Sequence, residues 1–352
     1  MSRADRLEAL LADEGLDALL VTNLVNVRYL TGYTGSNGVC VVGEGVRLFL
    51  TDFRYVQQAR REVEGFDRER GRRDLLEDVA KRLSGRVGFE DHHMTVRSHE
   101  RLGGYVADGV ELAAAGRLVE RLRAVKEDGE LRSIREAAAL ADEMLETLVE
   151  RGLVGRTERE VATELETEMR RRGSSPSFPI IVAGGAGGAL PHAQPGDAAI
   201  EAGSLVVVDL GCVVDGYCSD CTRTFATGSL SSQPAEVYEL VREAQAASLE
   251  RVRAGAGCRD VDAVARERIA AAGHGERFGH GLGHGVGLEV HEEPTLSLHS
   301  DGTLAAGNVV TVEPGVYVPD AFGVRIEDLV VVGDDGCEVL SRFPKALTTV
   351  GA

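Results

Sequence analysis

The 352-residue chain lacks several features that would direct its reading elsewhere. No apolar run approaches the roughly 20 residues of a membrane-spanning helix. The opening stretch, MSRADRLEALLADEGLDALLV, has neither a continuous hydrophobic segment nor a small-residue cleavage site, so no secretory leader is read and a cytoplasmic protein is expected. Positive charge is short, with 39 Lys and Arg against 57 Asp and Glu and a formal net charge of -18. That balance argues against nucleic acid and anionic membrane surfaces as partners. Lysine is nearly missing: Lys81, Lys126 and Lys345 are the three in the chain, and every other basic residue is arginine. A GC-rich genome, high salt or heat would each produce that bias. Six cysteines in a chain of this length are no disulfide scaffold. Cys218 and Cys221 have the C-x-x-C spacing shared by zinc knuckles and redox pairs, but no second C-x-x-C completes a site. On a strand these two side chains would face opposite sides, and packing is the expected role.

Of what is present, 43% is hydrophobic, enough for a sizeable core, and the length suggests about two domains. The first 120 or so residues alternate strand and helix patterns. An amphipathic helix on Leu7, Leu10 and Leu11 leads into the apolar runs DALLVT, VCVVG and VRLFLT, then the helical FRYVQQARREV and DLLEDVAKRL, and the short strand RVGFE. The polar stretch YLTGYTGSNG, residues 29 to 38, is expected as a loop between strands, suited to lining a pocket. From Arg117 to Arg172 apolar residues recur at helical spacing, and Thr157 with Glu160 forms a capping-box pattern. A boundary is placed near Ala124, giving an α/β domain over 1–123 and a second over 124–352. The second runs from helices into glycine-rich loops and antiparallel-looking strands, an α+β pattern.

The densest chemistry lies at residues 280 to 294, HGLGHGVGLEVHEEP, with three histidines, three carboxylates and four glycines. Alternating glycine makes a poor helix but lets a backbone approach a ligand closely. A polar surface loop is the bland alternative, and carboxylates elsewhere weigh against it. Asp209 interrupts the apolar strand VVVDLG, and Asp220 follows on the return strand of a hairpin turning at Asp215–Gly216. Glu313 and Glu327 sit in the equally apolar VVTVEPG and VRIEDLVVV. Buried carboxylates are costly unless paired. Each alone has an ion pair as its simplest explanation, with Arg325 at hand for Glu327. Four of them beside a glycine-flanked histidine read more economically as one oxygen-rich site for two divalent ions, of a chemistry that suits manganese, iron, cobalt or magnesium better than structural zinc.

The series D-x-G-x-x-x-x-G-Y-x-S-D-x-T-R-T, G-H-G-x-G-x-x-x-H-E, E-P-G-x-Y and R-I-E-D, in that order, resembles the catalytic domain of the pita-bread metallopeptidases. The N-terminal YLTGYTGSNG and LTDFRY and the segment RAVKEDGELRSIREAA resemble the branch that cuts Xaa-Pro bonds, aminopeptidase P and prolidase. The resemblance implies a creatinase-like α/β N-terminal domain lining the active-site entrance, an α+β pita-bread catalytic domain, and a homodimer. It implies two divalent metal ions, manganese first, with cobalt, iron or zinc as alternatives. Asp209 would bind one ion through both oxygens, Asp220 and Glu327 would bridge the pair, and His284 and Glu313 would complete the other. His192 and His291 would face the scissile carbonyl, and Glu313 would relay a proton. His280 is carried as a further substrate-side residue, and Arg325 as a residue near substrate that buttresses the ligands.

Proline-containing peptides are the implied substrates. The loop from Gly32 to Gly38 carries no Arg or Lys to hold the carboxylate of a product proline, which tilts the expectation to aminopeptidase P, with prolidase as the alternative. A metal-free peptide-binding protein and a creatinase-like hydrolase share the fold. The filled ligand positions argue against both.

Overall fold

The computed structural model describes residues 1–351 and divides into two compact units, Met1–Arg123 and Ala124–Ala352. No helix among the described residues is long and apolar enough to cross a membrane.

In the first unit, helix α1 (Arg3–Asp13) starts at a Ser2–Asp5 capping box and buries Leu7 and Leu11. A six-stranded mixed sheet follows. Its strands are β1 (Ala18–Val21), β2 (Gly38–Gly43), β3 (Val46–Thr51), β4 (Asp67–Arg70), β5 (Arg86–Phe89) and β6 (Glu111–Ala114), in the order β4-β3-β2-β1-β5-β6. Pairing is antiparallel for β1–β2 and β2–β3, and parallel for β3–β4, β1–β5 and β5–β6. Helices α2 (Leu24–Thr31), α3 (Val56–Glu62), α4 (Leu76–Ala80), α5 (Val96–Gly103) and α6 (Leu118–Ala124) complete the unit. Residues 29 to 38 are a loop only in part. Tyr29 to Thr31 close helix α2, which ends where Gly32 turns left-handed at φ 79°.

The second unit is α+β. Its helices are α7 (Asp128–Arg151), α8 (Glu158–Arg171), α9 (Ser232–Leu249) and α10 (Cys258–Ala271). The Thr157–Glu160 capping box forms at the start of α8. Strands β7 (Ile181–Gly184), β8 (Leu205–Leu210) and β11 (Cys221–Ala226) make a three-stranded antiparallel sheet, with the short hairpin of β9 (Val213–Val214) and β10 (Tyr217–Cys218) between the last two. The hairpin turns at Asp215 and Gly216, both at positive φ. Five strands, β12 (Gly283–Gly285), β13 (Glu292–Leu296), β14 (Val309–Val312), β17 (Asp328–Val332) and β18 (Cys337–Val339), form a second sheet in the order β13-β12-β14-β17-β18, while β15 (Gly315–Val318) and β16 (Phe322–Arg325) form a hairpin.

Strand periodicity decides which side chains meet the cavity. Along β8, Val206, Val208 and Leu210 pack against Leu145 and Leu148 of α7 and Val161 and Leu165 of α8. Asp209 alternates to the opposite face. Along β14, Val310 and Val312 pack against Val241 of α9 and Ala265 of α10, which leaves Thr311 on the other side. The apolar runs of the sequence are continuous because both faces of these strands are buried.

Candidate active site

Five carboxylate and imidazole side chains converge in the second unit because of where its strands break. The β14–β17 ladder ends at the pair Val312–Asp328, and the β15–β16 ladder begins at Gly315–Arg325. Glu313 and Glu327 occupy the two gaps at the same level. Their backbone N–H groups bond outside the ladder, Glu313 to the Leu282 carbonyl at 2.8 Å and Glu327 to the Thr222 carbonyl at 3.1 Å. The second bond joins the two sheets. On the other sheet Asp209 stands opposite Thr222, and Asp220 lies one residue before β11. Gly211 makes the D-x-G spacing intelligible: a Cβ there would fall 1.9 Å from the Ser219 carbonyl oxygen, so glycine is what lets the Asp220 hairpin fold back onto β8.

Asp209, Asp220 and Glu327 are all buried, and each offers a ligand oxygen within 4.8 Å of the others. His284 Nε2 is 3.2 Å from Glu313 Oε1 and 3.7 Å from Asp220 Oδ2. The glycines around His284 serve the sheet. A Cβ on Gly283 would lie 2.0 Å from the Thr311 carbonyl oxygen, and one on Gly285 2.3 Å from that of Glu293. Strand β12 is thus squeezed between β13 and β14, which is a different reason for glycine from the ligand approach expected. His284 is aimed by its own N–H, which donates to Thr311 Oγ1 at 3.0 Å, while the Thr311 hydroxyl donates to Glu313 Oε1 at 2.9 Å.

Burial, then the charges of their neighbours, push the Asp220 and Glu327 carboxyls well above the ordinary carboxylate range, and Asp209 is raised mainly by burial. Glu313 goes the other way. Burial opposes its charge, but the His284 imidazole bonded to it holds it down at about 2. Burial likewise disfavours a charged His284, and the Glu313 carboxylate outweighs it and raises the ring. Four carboxylates with so little positive charge among them are an incomplete set. Asp209 Oδ1 and Glu327 Oε1 are buried without a hydrogen-bond partner, on a donor set of oxygen and imidazole that suits divalent cations. The residues fit two such ions.

Around the acids runs a brace. Arg325 donates from Nη2 to Asp209 Oδ2 at 2.6 Å, from Nε to Thr222 Oγ1 at 2.9 Å, and from Nη1 to the Tyr317 hydroxyl at 2.8 Å and the Pro191 carbonyl at 3.1 Å. Its guanidinium is buried and committed to protein groups, which makes it a buttress. It also lines the site cavity. Thr222 passes the brace on by donating to Glu327 Oε2 at 2.7 Å. His280 is half-buried, with Nε2 3.0 Å from the Tyr317 hydroxyl and Nδ1 2.8 Å from the Gly281 carbonyl. Thr222, Tyr317 and Thr311 were invisible as site residues in the sequence, although Thr222 and Tyr317 lie inside the quoted motifs.

The site opens into a cavity of about 450 Å³ lined entirely by residues between 178 and 327. His192 and His291 stand exposed within it. The His291 ring centroid is 4.3 Å from that of His284, and burial followed by the His284 charge lowers its pKa. The His192 segment hangs from Glu158 of α8, whose carboxylate accepts the Gly184 and Gly196 N–H groups at 2.8 and 2.9 Å. Phe178, Pro179, Ile180, Ile181 and Val290 supply an apolar wall. Cys218 and Cys221 belong to two different core clusters and line none of it.

Comparison with known proteins decides the family. Residues 132–334 match metallopeptidase family M24, and residues 3–125 match the creatinase/prolidase N-terminal domain. The chain belongs to metallopeptidase family M24. The family's dependence on a dinuclear metal centre agrees with the acidic cluster. An M24 relative from Pyrococcus horikoshii, described as an Xaa-Pro dipeptidase, is 35% identical, with 94% of each chain covered. The structure of the Xaa-Pro dipeptidase from Bacillus anthracis superposes with a TM-score of 0.95 at 39% identity, covering 99% of each chain. That of the X-Pro aminopeptidase from Thermotoga maritima MSB8 gives 0.91 at 36% identity over 99% of this chain and 100% of its own. Both halves of the expected fold, creatinase-like N-terminal domain and pita-bread catalytic domain, are those of this family.

Proposed function

We propose that this M24 metallopeptidase is an Xaa-Pro dipeptidase, releasing proline from dipeptides. The observation that carries the hydrolytic part is the cluster of Asp209, Asp220 and Glu327 with two buried oxygens lacking partners, set against His284 and Glu313 and open to a cavity. The dipeptide part is supported by the Xaa-Pro dipeptidases among its relatives. It replaces the expectation of aminopeptidase P as the leading reading.

Asp209, Asp220, His284, Glu313 and Glu327 would hold the two ions, with manganese the first choice. When bound, two divalent cations polarise a carbonyl and make a water acidic near neutral pH. Glu313, kept ionised by His284, is the group that accepts a proton at its carboxylate and passes it to the leaving nitrogen. His291 and His192 stand at the cavity wall where a peptide carbonyl oxygen would develop charge, and donate to it. His280 closes the substrate side through Tyr317. The apolar wall of Phe178, Ile180 and Val290 suits a pyrrolidine ring.

A second reading, aminopeptidase P, is favoured by one observation. Among the described residues Arg325 is the sole Arg or Lys lining the cavity, and it is committed to Asp209, Thr222 and Tyr317. A dipeptide's carboxylate there would lack a cation, and an unpaired buried charge is costly. Steady-state kinetics on Ala-Pro and Ala-Pro-Ala with manganese-loaded protein separate the two. Dipeptidase activity gives the higher kcat/KM on Ala-Pro. The reverse order by about tenfold or more, 1.4 kcal/mol, supports aminopeptidase P.

A further inference from the structure

Lysine is so scarce in this chain that its positions invite a reason. Two of the three bind carboxylates adjacent to site residues. Lys345 pairs with Asp328, next to Glu327. Lys126 Nζ lies 3.3 Å from Glu292 Oε2, next to His291, and both side chains are almost wholly buried. An ammonium is a compact point charge, whereas a guanidinium is a broad planar fork. Of the three lysines Lys126 is the enclosed one, its side chain 0% exposed against 28% for Lys345 and 57% for Lys81.

His291 needs such support. Among the described residues its ring makes no side-chain hydrogen bond, and its one ring contact is His284 at 4.3 Å. Its aim therefore depends on the backbone from Gly287 to Glu292. That turn is built around the Glu292 carboxylate. Oε1 accepts the Glu289 N–H at 3.0 Å, and the Gly287 N–H reaches the Glu289 carbonyl at 3.0 Å. The carboxylate lies so close over Gly287 that a Cβ there would be 2.6 Å from Oε2. Lys126 holds the other side of the carboxylate and is itself fixed, its N–H bonded to the Gly307 carbonyl at 2.9 Å. The helix start that follows also reaches the metal-ligand hairpin: Glu130 accepts the Tyr217 hydroxyl at 3.0 Å, three residues before Asp220.

We propose that Lys126 and Glu292 are positioning residues for His291, and that the buried ion pair between them sets the turn that aims this imidazole at the substrate carbonyl. The kinetic consequence rests on the Xaa-Pro peptidase reading above. The structural consequence does not. The ion pair lies outside the proposed ligand set, so its loss disturbs alignment and spares the ions.

The test uses full-length protein carrying Glu292→Gln alone and the double change Lys126→Met with Glu292→Gln. The double variant removes both charges of the pair together, and it keeps the test open where a single change does not fold. Three quantities are measured: kcat and KM on Ala-Pro, the manganese binding isotherm, and amide hydrogen exchange over residues 286–293. In the double variant kcat falls by about 10- to 100-fold, the scale of a misaligned catalytic group, while KM and the manganese isotherm stay at wild-type values and exchange rises in the 287–292 turn. Wild-type kcat in the folded double variant, weakened manganese binding, or unchanged exchange in the turn overturns the proposal. An inactive wild-type enzyme would contradict the Xaa-Pro reading instead, and the exchange measurement would still decide the role of the pair.

Discussion

The Thr222 hydroxyl donates to Oε2 of Glu327 at 2.7 Å and leaves Oε1 of the same carboxylate buried without a partner. One oxygen is anchored to protein and the other is kept for a ligand. Thr222 also accepts Arg325 Nε at 2.9 Å, so one hydroxyl orients a proposed metal-bridging carboxylate and the arginine that restrains Asp209. Replacing Thr222 with valine keeps the volume and removes both bonds. Manganese affinity should then fall by about 10- to 100-fold, the usual cost of losing an outer partner of a metal ligand, as read by calorimetric titration. Unchanged affinity would show that Glu327 needs no orienting.

Arg325→Lys probes the same brace from its centre. A lysine has no fork with which to reach Asp209, Thr222, Tyr317 and the Pro191 carbonyl together. Removing one partner of a buried charge pair costs about 3–5 kcal/mol. Because lysine keeps the charge, a loss below that range is expected, seen as a lower urea midpoint with an unaltered slope. A midpoint equal to wild type would mean that charge alone suffices and the fork does not.

How much of this was written in the sequence depends on what a residue does. Strands such as VVVDLG and VTVEPG stood out because a carboxylate in a doubly buried strand breaks a strong pattern, and that break marks Asp209 and Glu313. The histidines were visible by density. Thr222, Thr311 and Tyr317 gave no signal, since a hydroxyl on a strand is ordinary until the fold sets it beside a carboxylate or guanidinium. Helix α2 was read partly as loop because Tyr29 to Thr31 precede a run of Gly, Thr and Ser, and the stop at Gly32 shows only in its left-handed backbone. Strand β4, with the sequence DRER, has no apolar period at all and is held by pairing at a sheet edge.

Chelation should alter the pH response of the fold. Burial and neighbouring negative charge raise the Asp220 and Glu327 carboxyls well above their ordinary range. Groups raised in the folded state bind more protons there than in the unfolded chain. Their favourable contribution is complete below the unfolded carboxylate pKa of about 4, and it is lost as pH rises through the raised values. Glu313, held at about 2, stays ionised across this window and adds no slope. Chelated protein should therefore show a Tm that rises as pH falls toward the unfolded carboxylate value of about 4, whereas manganese-loaded protein should lose Tm over the same interval because its ligands must be deprotonated to bind. Scanning fluorimetry on both forms checks it, and parallel slopes would contradict it.

The histidines should separate into two classes. His284→Ala removes a proposed ligand and should lower manganese content by elemental analysis. His291→Ala and His192→Ala should retain the metal and lose about 10²-fold or more in kcat if each donates to the developing oxyanion. Metal loss in His192→Ala with retention in His284→Ala would reverse the assignment.

The central claim is that the buried carboxylates form a two-ion hydrolytic centre acting on Xaa-Pro substrates. A stoichiometric manganese titration of chelator-stripped protein, with Ala-Pro cleavage followed at each addition, tests it most directly. The account predicts negligible cleavage without metal and a rise that levels off at two equivalents per chain. Full cleavage by verified metal-free protein, or no cleavage at any manganese level, would contradict it.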